Sequence, residues 1–241
     1  MIRKTLRNTK EATFVVTVPD KRRQGFPAPS GTGFFISNNG YFITANHVID
    51  GLNIDDVTDL ERPADHIPIL VKGAKVINKW PKYDLALLKA EFENNKQKEY
   101  FKLRDDFPYL EADYSDQEEG APVYAFGYPL MKSEVLDRGN ITVGVTEIPT
   151  RVTSAIISSN REHFGPVRTS NDPKFYVVDK ALNYGNSGGP IIMTETGKVI
   201  SVCVRLQPQV MKDSGVTVPS LYGISSSLQN IKNELMQIIT K

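Results

Sequence analysis

The apolar residues of this chain fall in short runs separated by glycine, proline, asparagine and aspartate, and this spacing restricts the fold more than any other feature. A run of roughly four to eight β-branched and aliphatic residues bounded by turn formers suits a strand, whereas a packed helix needs a period near 3.6 sustained over about ten residues. Such runs occur at Thr13–Val18, Phe34–Ser37, Tyr41–Thr44, Ile67–Val71, Ala74–Ile77 and Asp84–Leu88. A second series occupies Pro122–Phe126, Ile141–Thr146, Val152–Ser158, Phe175–Val178, Ile191–Thr194, Val199–Arg205 and Leu221–Ile224. Between two of these runs Asn38-Asn39-Gly40 tolerates positive φ and predicts a hairpin. Helical spacing is convincing only in the tail, where Leu228, Ile231, Leu235, Ile238 and Ile239 follow the capping candidates Ser226-Ser227. The pattern predicts an all-β protein, barrel or sandwich, with one C-terminal α-helix.

Charge supplies the organisation. Residues 105–119 hold seven acids and no base, and uncompensated like charge resists burial. They mark a linker over 105–120, between a first β-barrel at 12–104 and a second at 121–226, with the helix at 227–241 closing a single unit over 1–241. Residues 1–23 carry seven basic and two acidic side chains, read as solvated charge flanking the first strand. Over the whole chain 29 basic residues face 28 acidic ones, so bulk attraction to nucleic acid or to an acidic membrane is not expected. No apolar run reaches the ~18–20 residues of a membrane span. The segment Met1–Arg7 lacks the apolar core of a secretory leader, which points to the cytoplasm, although a leader removed beforehand would leave the same appearance. The one cysteine, Cys203, excludes an intrachain disulfide and a cysteine-rich zinc site, and its apolar neighbours Val202 and Val204 make it a small buried side chain. No HExxH or GxxxxGK[ST] occurs, and Gly31-Thr32-Gly33 lacks the third glycine of a dinucleotide fingerprint, so no metal or cofactor is expected.

The chemistry concentrates at Gly185-Asn186-Ser187-Gly188-Gly189-Pro190. Glycines on both sides of a serine let the backbone turn tightly and bring N–H groups toward one point, although glycine-rich loops also make plain turns. The same residues fit the G-x-S-x-G elbow that one class of hydrolases uses to present its serine. In that class the histidine follows the serine, yet His47, His66 and His163 all precede Ser187, so the elbow reading fails. His66 and His163 stand beside charged residues, as solvated loops do, while His47 ends an apolar run. Asp84 opens the buried run Leu85–Leu88, where a carboxylate needs a hydrogen-bond partner such as an imidazole, though it also suits a turn or a cap.

Five blocks in one order then carry a resemblance: Gly31-Thr32-Gly33-Phe34-Phe35-Ile36, Thr44-Ala45-Asn46-His47-Val48, Asp84-Leu85-Ala86-Leu87-Leu88, Ala125-Phe126-Gly127-Tyr128-Pro129 and Gly185–Pro190. Together they resemble the trypsin-like serine proteases, and within them the HtrA/Deg protease domain. The resemblance implies a chymotrypsin-like double β-barrel with the cleft between barrels. It also implies a serine endopeptidase acting on polypeptides through His47, Asp84 and Ser187, with the N–H groups of Gly185 and Ser187 as the oxyanion hole. Ala181 and Leu182 fall where the family has the base and wall of its primary specificity pocket, with Ser226 as a second wall residue and Val202 and Val204 on the strand that pairs with substrate. No acid stands there, so a small or medium apolar P1 side chain is expected. Asn186 replaces the aspartate that pairs with a newly cut amino terminus in digestive relatives, so no propeptide cleavage is expected. The chain ends directly after its helix, so no PDZ module is expected, and nothing in the residues bears on oligomeric state. The alternative is a catalytically silent protease-fold interaction module.

Overall fold

The computed structural model describes residues 2–19, 27–62, 69–91, 107–137, 142–162, 172–206, 209–210, 217–218 and 222–240. His66, His163, Lys21–Arg23 and Asp105–Asp106 lie outside the described residues, as do Ile67, Ile141 and Leu221 at the ends of three expected strands. Six antiparallel strands close the first barrel: β1 (Thr13–Pro19), β2 (Pro27–Phe35), β3 (Tyr41–Ala45), β4 (Val57–Arg62), β5 (Ile69–Trp80) and β6 (Leu85–Lys89). Their order is β1-β2-β3-β6-β5-β4, and β4 pairs back onto β1. The second barrel uses β7 (Pro122–Gly127), β10 (Arg151–Glu162), β11 (Phe175–Val178), β12 (Pro190–Met193), β13 (Val199–Leu206) and β16 (Gly223–Ser227). Its closing pair is β7 with β10. Two hairpin sheets stand outside the barrels, β8 (Lys132–Asp137) with β9 (Thr142–Glu147) and β14 (Gln209–Val210) with β15 (Thr217–Val218).

Local chemistry explains much of this. Gly40 adopts φ +90° in the turn joining β2 to β3, as the Asn-Gly pair requires. Aromatic rings fill the first barrel, with Phe14 4.6 Å from Phe35 and 5.0 Å from Phe42 between ring centroids. The acidic segment is sewn down by its backbone and its apolar residues rather than left loose. Phe107 and Leu110 donate N–H bonds to the Asn38 and Phe35 carbonyls, Leu110 is buried, and Ala112 bridges to Val199.

One expectation is corrected. The basic amino-terminal flank is not merely solvated charge: Ile2–Ala12 forms an α-helix. Its inner face includes Thr9 and Ala12, both buried, with Leu6 half-buried, so its amphipathic period is drawn by the charges on the outer face and not by a run of large apolar residues. The Thr9 hydroxyl donates to the Thr5 carbonyl and lies 3.1 Å from the Tyr124 hydroxyl, which docks the helix on the second barrel.

The carboxy-terminal helix makes the opposite crossing. Ser227 accepts the Gln229 N–H and starts the turn Leu228–Ile231, which runs into the helix Lys232–Ile239. Leu228, Ile231 and Leu235 are buried in a cluster shared with the first barrel. The buried Trp80 indole N–H, at the end of β5, donates to Glu234 at 2.8 Å. Glu234→Ala, which strands that indole N–H, is expected to lower unfolding free energy by about 1–2 kcal/mol, and Glu234→Gln, which keeps an acceptor, by well under half as much. Urea melts of the two variants beside the parent check this.

Candidate active site

Adjacent strands position the imidazole and the carboxylate. β3 pairs with β6 in the register Ala45↔Leu85, so the residues just beyond β3 lie next to the one that precedes β6. His47 sits in the short turn Asn46–Ile49 that follows β3. Asp84 caps the turn Pro81–Tyr83 with φ 54°, a left-handed conformation that aspartate tolerates better than most residues. The Asp84 carbonyl accepts the Asn46 N–H at 2.9 Å, which locks the two turns together. Both carboxylate oxygens then go to His47: Oδ1 accepts its backbone N–H at 3.0 Å, and Oδ2 lies 2.7 Å from Nδ1. A carboxylate at that position favours the tautomer with hydrogen on Nδ1, leaving Nε2 as the basic nitrogen.

Ser187 arrives on the loop before β12, and that loop is shaped by glycines. Gly185 and Gly188 adopt φ +94° and +84°. A Cβ on Gly188 would lie 2.0 Å from the Thr32 carbonyl oxygen, so no larger residue fits there. On one side the loop is tied to β13, where the Gly188 N–H donates to the Cys203 carbonyl at 2.7 Å and the Cys203 N–H to Gly189 at 2.8 Å. On the other it is tied to β2, where the Thr32 N–H donates to the Ser187 carbonyl at 2.8 Å. Among the described residues the N–H groups of Gly185 and Ser187 donate to no protein acceptor, as donors reserved for a ligand oxygen would. No hydrogen bond joins the Ser187 hydroxyl to the imidazole among the described residues, and such contacts often tighten only when substrate is bound.

A cavity of about 460 Å³ brings together His47, Asp84, Ser187 and Gly185, together with Leu182 and Val204 of the expected specificity residues. Ala181, Val202 and Ser226 do not line it. Val202 and Ser226 are fully buried, and the Ser226 hydroxyl accepts the Asn230 side-chain N–H at 3.2 Å. Four further residues line the cavity that sequence reasoning missed: Ser30, Asn183, Tyr184 and Cys203. Position next to Gly185 was the available signal for Asn183 and Tyr184, and nothing local marked Ser30, whose hydroxyl donates to the Val48 carbonyl. Among the described residues no cluster of three or more His, Cys, Asp or Glu is arranged to hold a metal ion. No described helix is long and apolar enough to cross a membrane.

Residues 31–202 match the family model described as trypsin-like peptidase domain. Two curated relatives, each named a probable periplasmic serine endoprotease DegP-like, are 32% identical over 221 residues in Bartonella henselae and 30% identical over 221 residues in Brucella suis. Each alignment covers 89% of this chain and 34% of the relative, so the chain spans about a third of the length of the curated relatives it matches. The solved protease domain of MamO from Magnetospirillum magneticum superposes with a TM-score of 0.63 at 16% identity, covering 95% of this chain and 98% of that one. The HtrA-type protease AlgW, solved with a decapeptide, superposes with a TM-score of 0.63 at 20% identity, covering 100% of this chain and 67% of that one. These likenesses establish the chymotrypsin-like double barrel. The cytoplasmic expectation is overturned, because the relatives are named periplasmic. It rested on the lack of an apolar core near Met1, and a disulfide-free barrel pair packs in the same way on either side of a membrane.

Cys203, although it contributes to the cavity wall, is only 1% exposed, and burial pushes its thiol up to about 12. The thiol therefore stays protonated and inert at neutral pH. Iodoacetamide at pH 8 is expected to leave the folded protein unmodified and to alkylate Cys203 once urea unfolds it, as intact-mass measurement would show.

Proposed function

The chain belongs to the trypsin-like peptidase family, and on that premise we propose that it is a serine endopeptidase that hydrolyses polypeptides through an acyl-enzyme. The observation that carries the reading is the 2.7 Å contact between His47 Nδ1 and Asp84 Oδ2 at a cavity that also holds Ser187 and Gly185. Ser187 Oγ attacks the scissile carbonyl carbon while His47 Nε2 takes its proton. The tetrahedral oxygen is held by the N–H groups of Gly185 and Ser187, neither of which donates to a protein acceptor among the described residues. His47 then gives the proton to the departing amine, and water repeats the sequence to release the acid and restore the serine. Asp84 keeps the proton on Nδ1 and stabilises the imidazolium without itself taking the proton.

The same proposal gives the specificity pocket to Leu182 and Val204 at the cavity wall; Val202 and Ser226 are buried and Ala181 is half-buried, all three outside the lining. A small or medium apolar P1 side chain fits that lining. The periplasmic naming of the relatives extends the proposal to a site of action outside the cytoplasm.

A fluorophosphonate probe is expected to label the parent chain and not Ser187→Ala; an unlabelled parent would favour a silent binding module of the same fold. Asp84→Asn is expected to lower kcat by about 10⁴-fold through the wrong imidazole tautomer. Peptide-library profiling should show cleavage after small or medium apolar residues, and cleavage confined to lysine or arginine would overturn the pocket.

A further inference from the structure

Thr32 is a first-barrel residue without exposed surface, yet its N–H and its hydroxyl are both spent at the seam with the second barrel. Its N–H donates to the Ser187 carbonyl at 2.8 Å. Its hydroxyl donates to the Gly185 carbonyl at 2.6 Å and accepts the Tyr128 N–H at 3.2 Å. Its carbonyl accepts the Thr44 hydroxyl at 2.7 Å. Both loop carbonyls that Thr32 holds belong to the two residues whose N–H groups are the oxyanion donors of the proposed mechanism. The Gly185 N–H shares its peptide plane with the Tyr184 carbonyl, which accepts the Leu130 N–H at 2.8 Å, whereas Gly185, at φ +94°, has no side chain to fix the following plane, which runs through its own carbonyl toward Asn186 and Ser187. That following plane needs a partner of its own, and the described partner of the Gly185 carbonyl is the Thr32 hydroxyl.

We infer that Thr32 is a positioning residue for the oxyanion hole: its hydroxyl holds the Gly185 carbonyl, and with it the orientation of the loop whose N–H groups face the developing negative charge. This rests on the peptidase reading of Ser187. Thr32 touches no reacting atom and acts only through the loop. Removing its hydroxyl frees the Gly185 carbonyl to seek another donor, and the loop then samples orientations in which the hole is incomplete. The loss should fall on the transition state, where the oxygen charge develops, and not on substrate binding in the ground state.

The test compares Thr32→Val, which exchanges the hydroxyl for a methyl at the same volume, with Thr32→Ser, which keeps the hydroxyl, in the full chain with a cleavable peptide. Thr44→Val is the control, since it deletes an equally buried hydrogen bond to Thr32 without touching Gly185. Expected for Thr32→Val is a fall in kcat of about 10–100-fold with KM changed by less than about threefold, since a misplaced oxyanion donor costs up to that of a deleted one. Thr32→Ser should recover kcat to within about threefold of the parent, and Thr44→Val should keep it there at a similar loss of urea resistance. Inhibition by a peptide boronate, which mimics the tetrahedral adduct, should weaken in Thr32→Val by the same factor as kcat/KM. Should Thr32→Val not fold, Thr32→Cys keeps the volume with a weaker donor and should show an intermediate kcat. Equal kcat losses in Thr32→Val and Thr44→Val, or full activity in Thr32→Val or Thr32→Cys, would overturn the inference while leaving the peptidase reading intact. A parent chain inert to both peptide and fluorophosphonate would overturn the two together.

Discussion

Barrel closure is the constraint from which the rest follows. Each barrel pairs its terminal strands, β4 with β1 and β7 with β10, and so leaves no open ladder edge. Backbone groups inside the barrels are then committed to their neighbours, and those still able to act on a ligand lie in the connecting loops. The loops of the proposed site meet at the seam, where Thr32 of the first barrel is bonded through its N–H to Ser187 and through its hydroxyl to Gly185 of the second.

The two halves of the site are built by different physics. His47 and Asp84 belong to one barrel, and the register of two adjacent strands places them side by side before any contact with the other barrel is made. Ser187 depends instead on positive-φ glycines and on backbone bonds to β13, which shape its loop within the second barrel. Rigid barrels on either side of a bonded seam suit a site in which small displacements carry a large cost.

The terminal helices reinforce that seam by crossing it. The amino-terminal helix leads into the first barrel and rests on Tyr124 of the second, while the carboxy-terminal helix follows the second barrel and is bonded to Trp80 of the first. Each barrel is thus tied to the other by an element covalently continuous with its partner. Relative movement of the barrels would have to break buried contacts at both ends of the chain.

What could be read from the sequence was what is local or short in range. The Asn38–Gly40 turn, the strand-length apolar runs, the Ser227-capped tail helix and the glycine-flanked Ser187 all rest on φ preferences and periodicities that neighbouring residues carry by themselves. The amino-terminal helix escaped because its fully buried residues are threonine and alanine, small side chains that do not stand out as core among so many charges, and its docking rests on the partly buried Leu6 and on the Thr9–Tyr124 contact. The lining of the cavity escaped in part for a similar reason. Leu182 and Val204 reach it while Val202 and Ser226 stay behind its wall, and a bulge in β13 after Cys203 breaks the simple alternation a reader would count along. Only the tertiary structure decided that Thr32 would meet Gly185, 153 positions away, because a hydrogen bond between two barrels depends on how both have closed and docked, which no local pattern encodes.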